Sequence, residues 1–187
     1  MKRCQWCKNS FPEYVRYHDE EWGVPIHDDQ KQFEFLILEG AQAGLSWSTI
    51  LKRRNGYRSA FAKFDFEAVA KFDQKKIDQL LLDTRIIRNK LKVNSAVTNA
   101  KAFVQVREEF GTFDKYLWSF VGGKPIINQW KTDQEIPATS KESDVISKDL
   151  KKRGFKFVGT TIIYAHMQAV GMVNNHVTDC FRYKDLT

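Results

Sequence analysis

Leu38-Glu39-Gly40-Ala41-Gln42-Ala43-Gly44-Leu45-Ser46-Trp47-Ser48-Thr49-Ile50-Leu51-Lys52-Arg53-Arg54 decides the reading of this chain. It reads as the end of one helix, a tight corner and the start of another. Phe33, Leu36, Ile37 and Gly40 recur at helical spacing and give the first helix a buried face. Gly44 stands where a left-handed C-terminal cap belongs, and Ser46 is a natural N-cap for the next helix. The corner holds a carboxylate (Glu39), an amide (Gln42), an apolar tip (Leu45) and a large flat ring (Trp47). Taken singly, Glu39 reads as a solvated charge and Trp47 as a core ring. Together, in a basic chain, they point to a pocket that stacks on and hydrogen-bonds a flat polar ring.

Composition sets the outer limits. At 187 residues the chain is long enough for one sizeable core or two small lobes sharing a groove. Its 30 Lys and Arg against 23 Asp and Glu leave a net charge of +7, which suits a polyanionic partner. Five Trp and fourteen Phe exceed what a core of this size needs, so some rings are expected to face a ligand. No signal peptide is read, because Met1-Lys2-Arg3-Cys4 leads into polar and aromatic residues, and no apolar run approaches membrane-spanning length. Three cysteines are an odd number and too few for a disulfide framework, so the expectation is a cytoplasmic protein with reduced thiols. There is no internal repeat and no low-complexity segment.

Helix signals then recur along the chain. Asp28 or Asp29 caps the helix running to Gly44, and Asn55-Gly56 reads as the stop of the helix that Trp47 begins. Asp65 and Asp73 each precede an apolar-periodic run, and Ile77, Leu80 and Leu81 mark a short helix stopping near Asp83. A long helix carries Ile87, Leu91, Val97, Ala100 and Val104 and ends at Gly111. Lys124 to Pro137 reads as a loop. Ser140 or Ser143 caps a helix terminated by Gly154, and Thr160 or Thr161 opens the last regular helix, closing at Gly171.

Two kinds of chemistry stand out. Thr84-Arg85-Ile86-Ile87-Arg88-Asn89-Lys90-Leu91-Lys92 puts a basic first turn after a short connection. A helix N-terminus exposes unpaired N–H groups and a positive dipole end, so a phosphate can dock there without a base being read. A solvated basic face on an ordinary helix reads equally well here. Lys148, Lys151, Lys152, Arg153 and Lys156 form a second basic cluster. The other chemistry lies at the two ends of the chain. Cys4 and Cys7 form a C-x-x-C pair that fits a metal knuckle or a redox pair. His176 and Cys180, four apart, project from one face if the segment forms a helical turn. With Cys4 and His18 they make two thiolates and two imidazoles, the set that closes a tetrahedral structural zinc and ties the termini together. On ligand type alone, Cys7 could replace Cys4.

At this point the chain resembles the DNA-3-methyladenine glycosylase I family over nearly its whole length. The residues carrying the likeness are Arg3-Cys4-x-Trp6, Tyr17-His18-Asp19-x-Glu21-Trp22-Gly23-Val24-Pro25, Leu38 to Trp47, Ile86-Ile87-Arg88, Trp118-Ser119-Phe120, Leu150 to Thr161 and His176-x-x-x-Cys180. The resemblance implies an all-α, helix-hairpin-helix glycosylase. It has a helical lobe over residues 30–120 and a zinc-linked lobe from 1–29 plus 121–187. The implied zinc ligands are Cys4, His18, His176 and Cys180. The implied lesion pocket is Glu39 with Trp6, Tyr14, Tyr17, Gln42 and Trp47, Glu39 being the catalytic residue. Leu45 becomes the wedge that fills the vacated stack, and the hairpin near Asp83 to Leu91 meets double-stranded DNA through Arg85, Arg88 and Lys90. One departure stands out: the family usually has Gly before Ile-Ile-Arg, and this chain has Arg85. The expected activity is monofunctional excision of 3-methyladenine by a monomer, without a lyase step. The alternatives are a glycosylase for another alkylated purine, such as 3-methylguanine, and a silent zinc-containing binder of distorted DNA. Loss of Glu39 or Trp47 would mark the silent binder, and both are present.

Overall fold

Ten helices build the chain in the computed structural model, which describes residues 1–187, and seven of them open on a polar side-chain cap. These are α1 (Pro12–Glu20), α2 (Asp29–Gln42), α3 (Trp47–Ala60), α4 (Phe66–Ala70), α5 (Gln74–Leu82), α6 (Lys90–Phe110), α7 (Phe113–Ser119), α8 (Lys141–Lys152), α9 (Thr160–Ala169) and α10 (Phe181–Asp185). Asp28 accepts from Lys31 N, Ser46 from Thr49 N, Asp65 from Glu67 N and Ala68 N, and Asp73 from Lys76 N. Ser140 and Ser143 share a capping box at the start of α8. Each cap satisfies a donor that the helix cannot, at roughly 1 kcal/mol apiece. Of the two candidate caps of α2, Asp29 has other work. Its carboxylate takes the Phe113 and Asp114 N–H groups and the Arg107 guanidinium, pinning α7 to α2.

α2 is the central element. Every residue from Gln32 to Ala41 is buried, so the helix is enclosed on all sides, beyond the single apolar face read from the sequence. It packs against α3, α6, α7 and α9. Enclosure forces Glu34 to find cations. Arg54 donates to Glu34 Oε1 at 2.7 Å and grips both oxygens of Glu21 at 2.8 and 2.7 Å, with Lys31 and Arg58 adding to Glu34. One continuous set of 43 buried apolar residues includes both Cys4 and Cys180, so the two ends of the chain close on the same interior.

Three local readings are corrected. Asn55-Gly56 does not stop a helix, because α3 continues to Ala60. Gly56 is there for a tertiary reason: a Cβ on it would lie 2.5 Å from the Arg85 carbonyl oxygen, so only glycine lets the turn after α5 pack so close. His176 to Cys180 is a tight non-helical turn, with the Cys180 N–H donating to the Val177 carbonyl, and a further short helix, α10, follows it. The loop after Gly123 contains a two-residue strand, β1 (Ile126–Ile127), parallel to β2 (Val173–Asn174). Asn175 fixes that loop: its Oδ1 accepts from Asn128 Nδ2 at 2.7 Å and Trp130 Nε1 at 2.9 Å, while its Nδ2 donates to the Tyr164 hydroxyl. Apart from this strand pair the fold is all-α, and no helix is long and apolar enough to cross a membrane.

Candidate active site

The corner after α2 forms as read. Gly44 takes φ +74°, Ser46 caps α3, and Leu45 projects from the turn with 40% of its surface exposed. Glu39 and Gln42 line a recess of about 190 Å³, walled by Trp6, Tyr14, Tyr17, Trp22 and Trp47 together with Ala165 and Gln168. The same two residues also line a second recess, about 310 Å³, formed with Ala43, Gly44, Leu45, Thr161, Ile162 and Ala165. Every pocket residue expected from the sequence therefore converges on one place. Trp6 meets Tyr14 edge-on with centroids 5.2 Å apart and Trp22 at 5.0 Å, and Tyr17 lies 5.3 Å from Trp47. Such contacts lock the rings before any ligand arrives. The Trp47 indole N–H is buried with no acceptor in the protein. Such an orphan costs about 1–3 kcal/mol unless a ligand pairs with it.

Glu39 sets the electrostatics. It is only 4% exposed and makes no hydrogen bond or ion pair, and neither recess has a lysine or arginine in its walls. Burial pushes its carboxyl from 4.5 up to about 8. The same burial, with the Glu39 charge as a secondary cause, raises the Tyr14 and Tyr17 phenols. The pocket is thus a ring-lined site holding a carboxylate with no counter-cation.

Sequence reasoning passed over Trp22, Thr161, Ala165 and Gln168. The last three carried a signal, since their i, i+4, i+7 spacing puts them on one face of α9.

The basic residues lie elsewhere, on the turn between α5 and α6. Arg85, Arg88 and Lys90 are exposed there. Asn89 caps α6 through Lys92 N, and the Ile87 N–H donates to the Tyr57 hydroxyl. Arg85 does not need a glycine's freedom, because its φ is not positive. Its guanidinium folds back on Asp83, with Nε–Oδ1 3.0 Å and Nη2–Oδ2 2.8 Å, and its N–H donates to the same carboxylate at 2.9 Å.

Cys4, His18, His176 and Cys180 meet in the interior with their ligand atoms all within 4.8 Å of one another, a cluster able to hold a metal ion. Cys180 Sγ lies 3.5 Å from both His18 Nε2 and His176 Nδ1, and Cys4 Sγ lies 3.6 Å from His176 Nδ1. The outer nitrogens are also engaged. His18 Nδ1 meets Asp19, itself held by Arg3, and His176 Nε2 meets the Trp22 carbonyl at 2.9 Å. Cys7 stands outside the cluster and donates its thiol to the Cys4 carbonyl.

Comparison with known proteins agrees with this geometry. The family model for methyladenine glycosylases matches residues 6–183. DNA-3-methyladenine glycosylase 1 of Escherichia coli (strain K12) is 48% identical over 183 residues, covering 98% of this chain and 97% of that one. A solved structure on 3-methyladenine recognition by the Staphylococcus aureus 3-methyladenine DNA glycosylase I superposes with TM-score 0.93 at 35% identity, covering 97% of this chain and 96% of that one. A variant of 3-methyladenine DNA glycosylase I, solved in complex with 3-methyladenine, superposes equally well, at TM-score 0.93 and 35% identity over 97% of each chain. A match this long, on a chain whose corner, rings and carboxylate converge on one pocket, is decisive: the chain belongs to the methyladenine glycosylase family.

Proposed function

We propose that this protein is a monofunctional DNA glycosylase that flips 3-methyladenine out of alkylated double-stranded DNA and hydrolyses its N-glycosidic bond. The observation that carries this reading is Glu39, a buried carboxylate without a counter-cation among aromatic rings. Methylation at N3 makes the adenine ring cationic in DNA, so the lesion brings the charge that the pocket lacks. A cation over a desolvated aromatic face gains on the order of 1–2 kcal/mol, and an ionised Glu39 adds its own attraction. A neutral purine leaves Glu39 to remain protonated or to bear an unpaired charge, so the same group that holds the lesion rejects normal bases. Gln42 and Gln168 supply amides to the ring edge.

The chemistry asks little more of the protein. The bond from C1′ to the ring nitrogen breaks with its electron pair going to the base, which leaves neutral. Water adds to C1′ and gives up a proton, leaving an abasic site. A recess without lysine in its walls supports hydrolysis rather than a Schiff-base step. Extraction is the harder task, costing a few kcal/mol. Leu45 would enter the vacated stack, a role its exposure on the corner supports. We assign backbone contacts to the α5–α6 connection as a helix-hairpin-helix element, with Arg88, Lys90 and the first N–H groups of α6 facing phosphate and Arg85 balancing Asp83. The lobe of residues 30–120 would carry the hairpin, and residues 1–29 with 121–187 the zinc-linked wall of the groove. A monomer acting on intracellular DNA suffices.

For the Cys4, His18, His176 and Cys180 cluster we propose one structural zinc. Bonds of about 2.3 Å to sulfur and 2.0–2.1 Å to nitrogen at tetrahedral angles put S and N about 3.5–3.6 Å apart. Three of the four sulfur–nitrogen separations, 3.5, 3.5 and 3.6 Å, match that spacing and support the reading. Four protein ligands leave no open position, so such an ion would tie the termini together and take no part in catalysis.

The test is chromatography of bases released from methylated duplex DNA, with a parallel assay for strand breaks. The proposal expects free 3-methyladenine and intact strands bearing abasic sites. Release of no base, or cleavage concurrent with release, would overturn it.

A further inference from the structure

Lys92 sits in the first turn of α6, where the helix dipole disfavours a cation, and it has no carboxylate partner. Its neighbours Lys90 and Leu91 face solvent, but Lys92 is half-buried and burial lowers its pKa. Its ammonium crosses to the far end of α2 and donates to the Ala41 carbonyl at 2.8 Å and the Ala43 carbonyl at 2.6 Å. These belong to the last turn of α2, where carbonyls lack intrahelical donors and the dipole favours a cation. The charge misplaced on its own helix is therefore well placed on the neighbour.

The two ends of this bridge give it a function. Ala41 and Ala43 flank Gln42, which lines both recesses, and Ala43 is two residues from Leu45. At the other end, the Lys92 N–H is held by the Asn89 side chain, and the Ile87 N–H by Tyr57. Lys92 also lies in the wall shared by α2, α3 and α6, beside Gly40, Tyr57 and Ile87. One side chain thus ties the basic turn to the corner that presents the wedge.

We propose that Lys92 is a positioning residue that sets the Leu45 corner in register with the grip of the α5–α6 turn on the DNA backbone. The inference rests on the DNA-binding reading above. Its function is needed when a base must be pulled from a duplex, and not when a free base enters the pocket.

The test compares wild type, Lys92→Met, Lys92→Arg, Leu45→Ala and the Leu45→Ala/Lys92→Met double variant. Three quantities are measured: excision from methylated duplex, affinity for free 3-methyladenine by tryptophan fluorescence, and melting temperature. Losing two charge-assisted hydrogen bonds is expected to slow duplex excision by Lys92→Met about 10- to 100-fold. Free-base affinity is expected to stay within about twofold, and Lys92→Arg to recover part of the rate. The double variant is expected to lose little more than the worse single variant, because both changes disable one wedge. Equal losses on duplex and free base, fully additive losses, or an unchanged Lys92→Met rate would each overturn the proposal. If Lys92→Met does not fold, Lys92→Arg with unimpaired free-base binding but additive loss beside Leu45→Ala overturns it equally. Wild type inactive on duplex yet competent for free base would bring down the underlying reading, and this inference with it.

Discussion

Replacing Glu39 with Gln keeps the shape of the side chain and removes its ability to ionise. In the folded protein burial raises this carboxyl from 4.5 to about 8, so the native state holds a proton that the unfolded chain gives up. The stability linked to this group is fully present below about pH 4.5 and is lost as pH rises through 8. At full ionisation the loss is about 5 kcal/mol, and at pH 7 it has reached about 3 kcal/mol. Glutamine escapes it. Glu39→Gln is therefore expected to match wild type near pH 4.5 and to be the more stable protein at pH 7. The gap corresponds to about 6–12 °C in melting temperature for a chain of this size. Activity is expected to move the other way. The cationic lesion needs the ionised carboxylate, so wild-type kcat/KM should climb with pH until about 8, while Glu39→Gln shows low activity and no such limb. Melting curves from pH 5 to 9 and the rate profile on methylated duplex test both halves. Parallel melting curves, or a glutamine variant less stable at pH 7, would refute the claim that Glu39 is strained by burial without a partner.

Arg54→Ala leaves Glu34 buried and Glu21 half-buried with their bidentate partner gone, and should cost about 3–5 kcal/mol in urea unfolding; a cost below 1 kcal/mol would show that water replaces the guanidinium. Cys180→Ala should lose stoichiometric zinc by elemental analysis and lower the melting temperature, whereas full zinc retention would break the ligand assignment. Gly56→Ala puts a methyl group 2.5 Å from the Arg85 carbonyl, so the turn after α5 must shift. Duplex binding should weaken while free 3-methyladenine binding holds, and unchanged duplex affinity would remove that turn from the DNA contact.

The features legible in the sequence are those whose causes are local. The caps Asp65, Asp73 and Ser46 each act within four residues, and the corner at Gly44 needs only a positive φ, so both appear where their spacing places them. The thiol and imidazole cluster was legible by ligand type, although the helical turn assumed for His176 and Cys180 was not needed: a tighter turn brings the same two atoms to 3.5 Å. Features with tertiary causes were misread or passed over. Asn55-Gly56 looks like a stop because glycine usually ends helices, and only the approach of Arg85 explains a glycine inside α3. Arg85 is the exception to this division: its partner, the Asp83 carboxylate, lies only two residues back, and a charge reading of the basic turn passes over it. Lys92 looked like part of a basic face, and its true partners are carbonyls some 50 residues earlier. The spacing of Thr161, Ala165 and Gln168 puts them on one face of α9, but only the placement of that helix beside Glu39 shows that the face lines the pocket.

The most direct test of the central claim sets wild type beside Glu39→Gln on the same methylated duplex DNA at pH 7.5 and quantifies each released base. Wild type should release 3-methyladenine, and the folded glutamine variant should release it more slowly by orders of magnitude. Equal release by the two proteins would contradict the account, because the unpaired carboxylate would then have no part in choosing or excising the lesion.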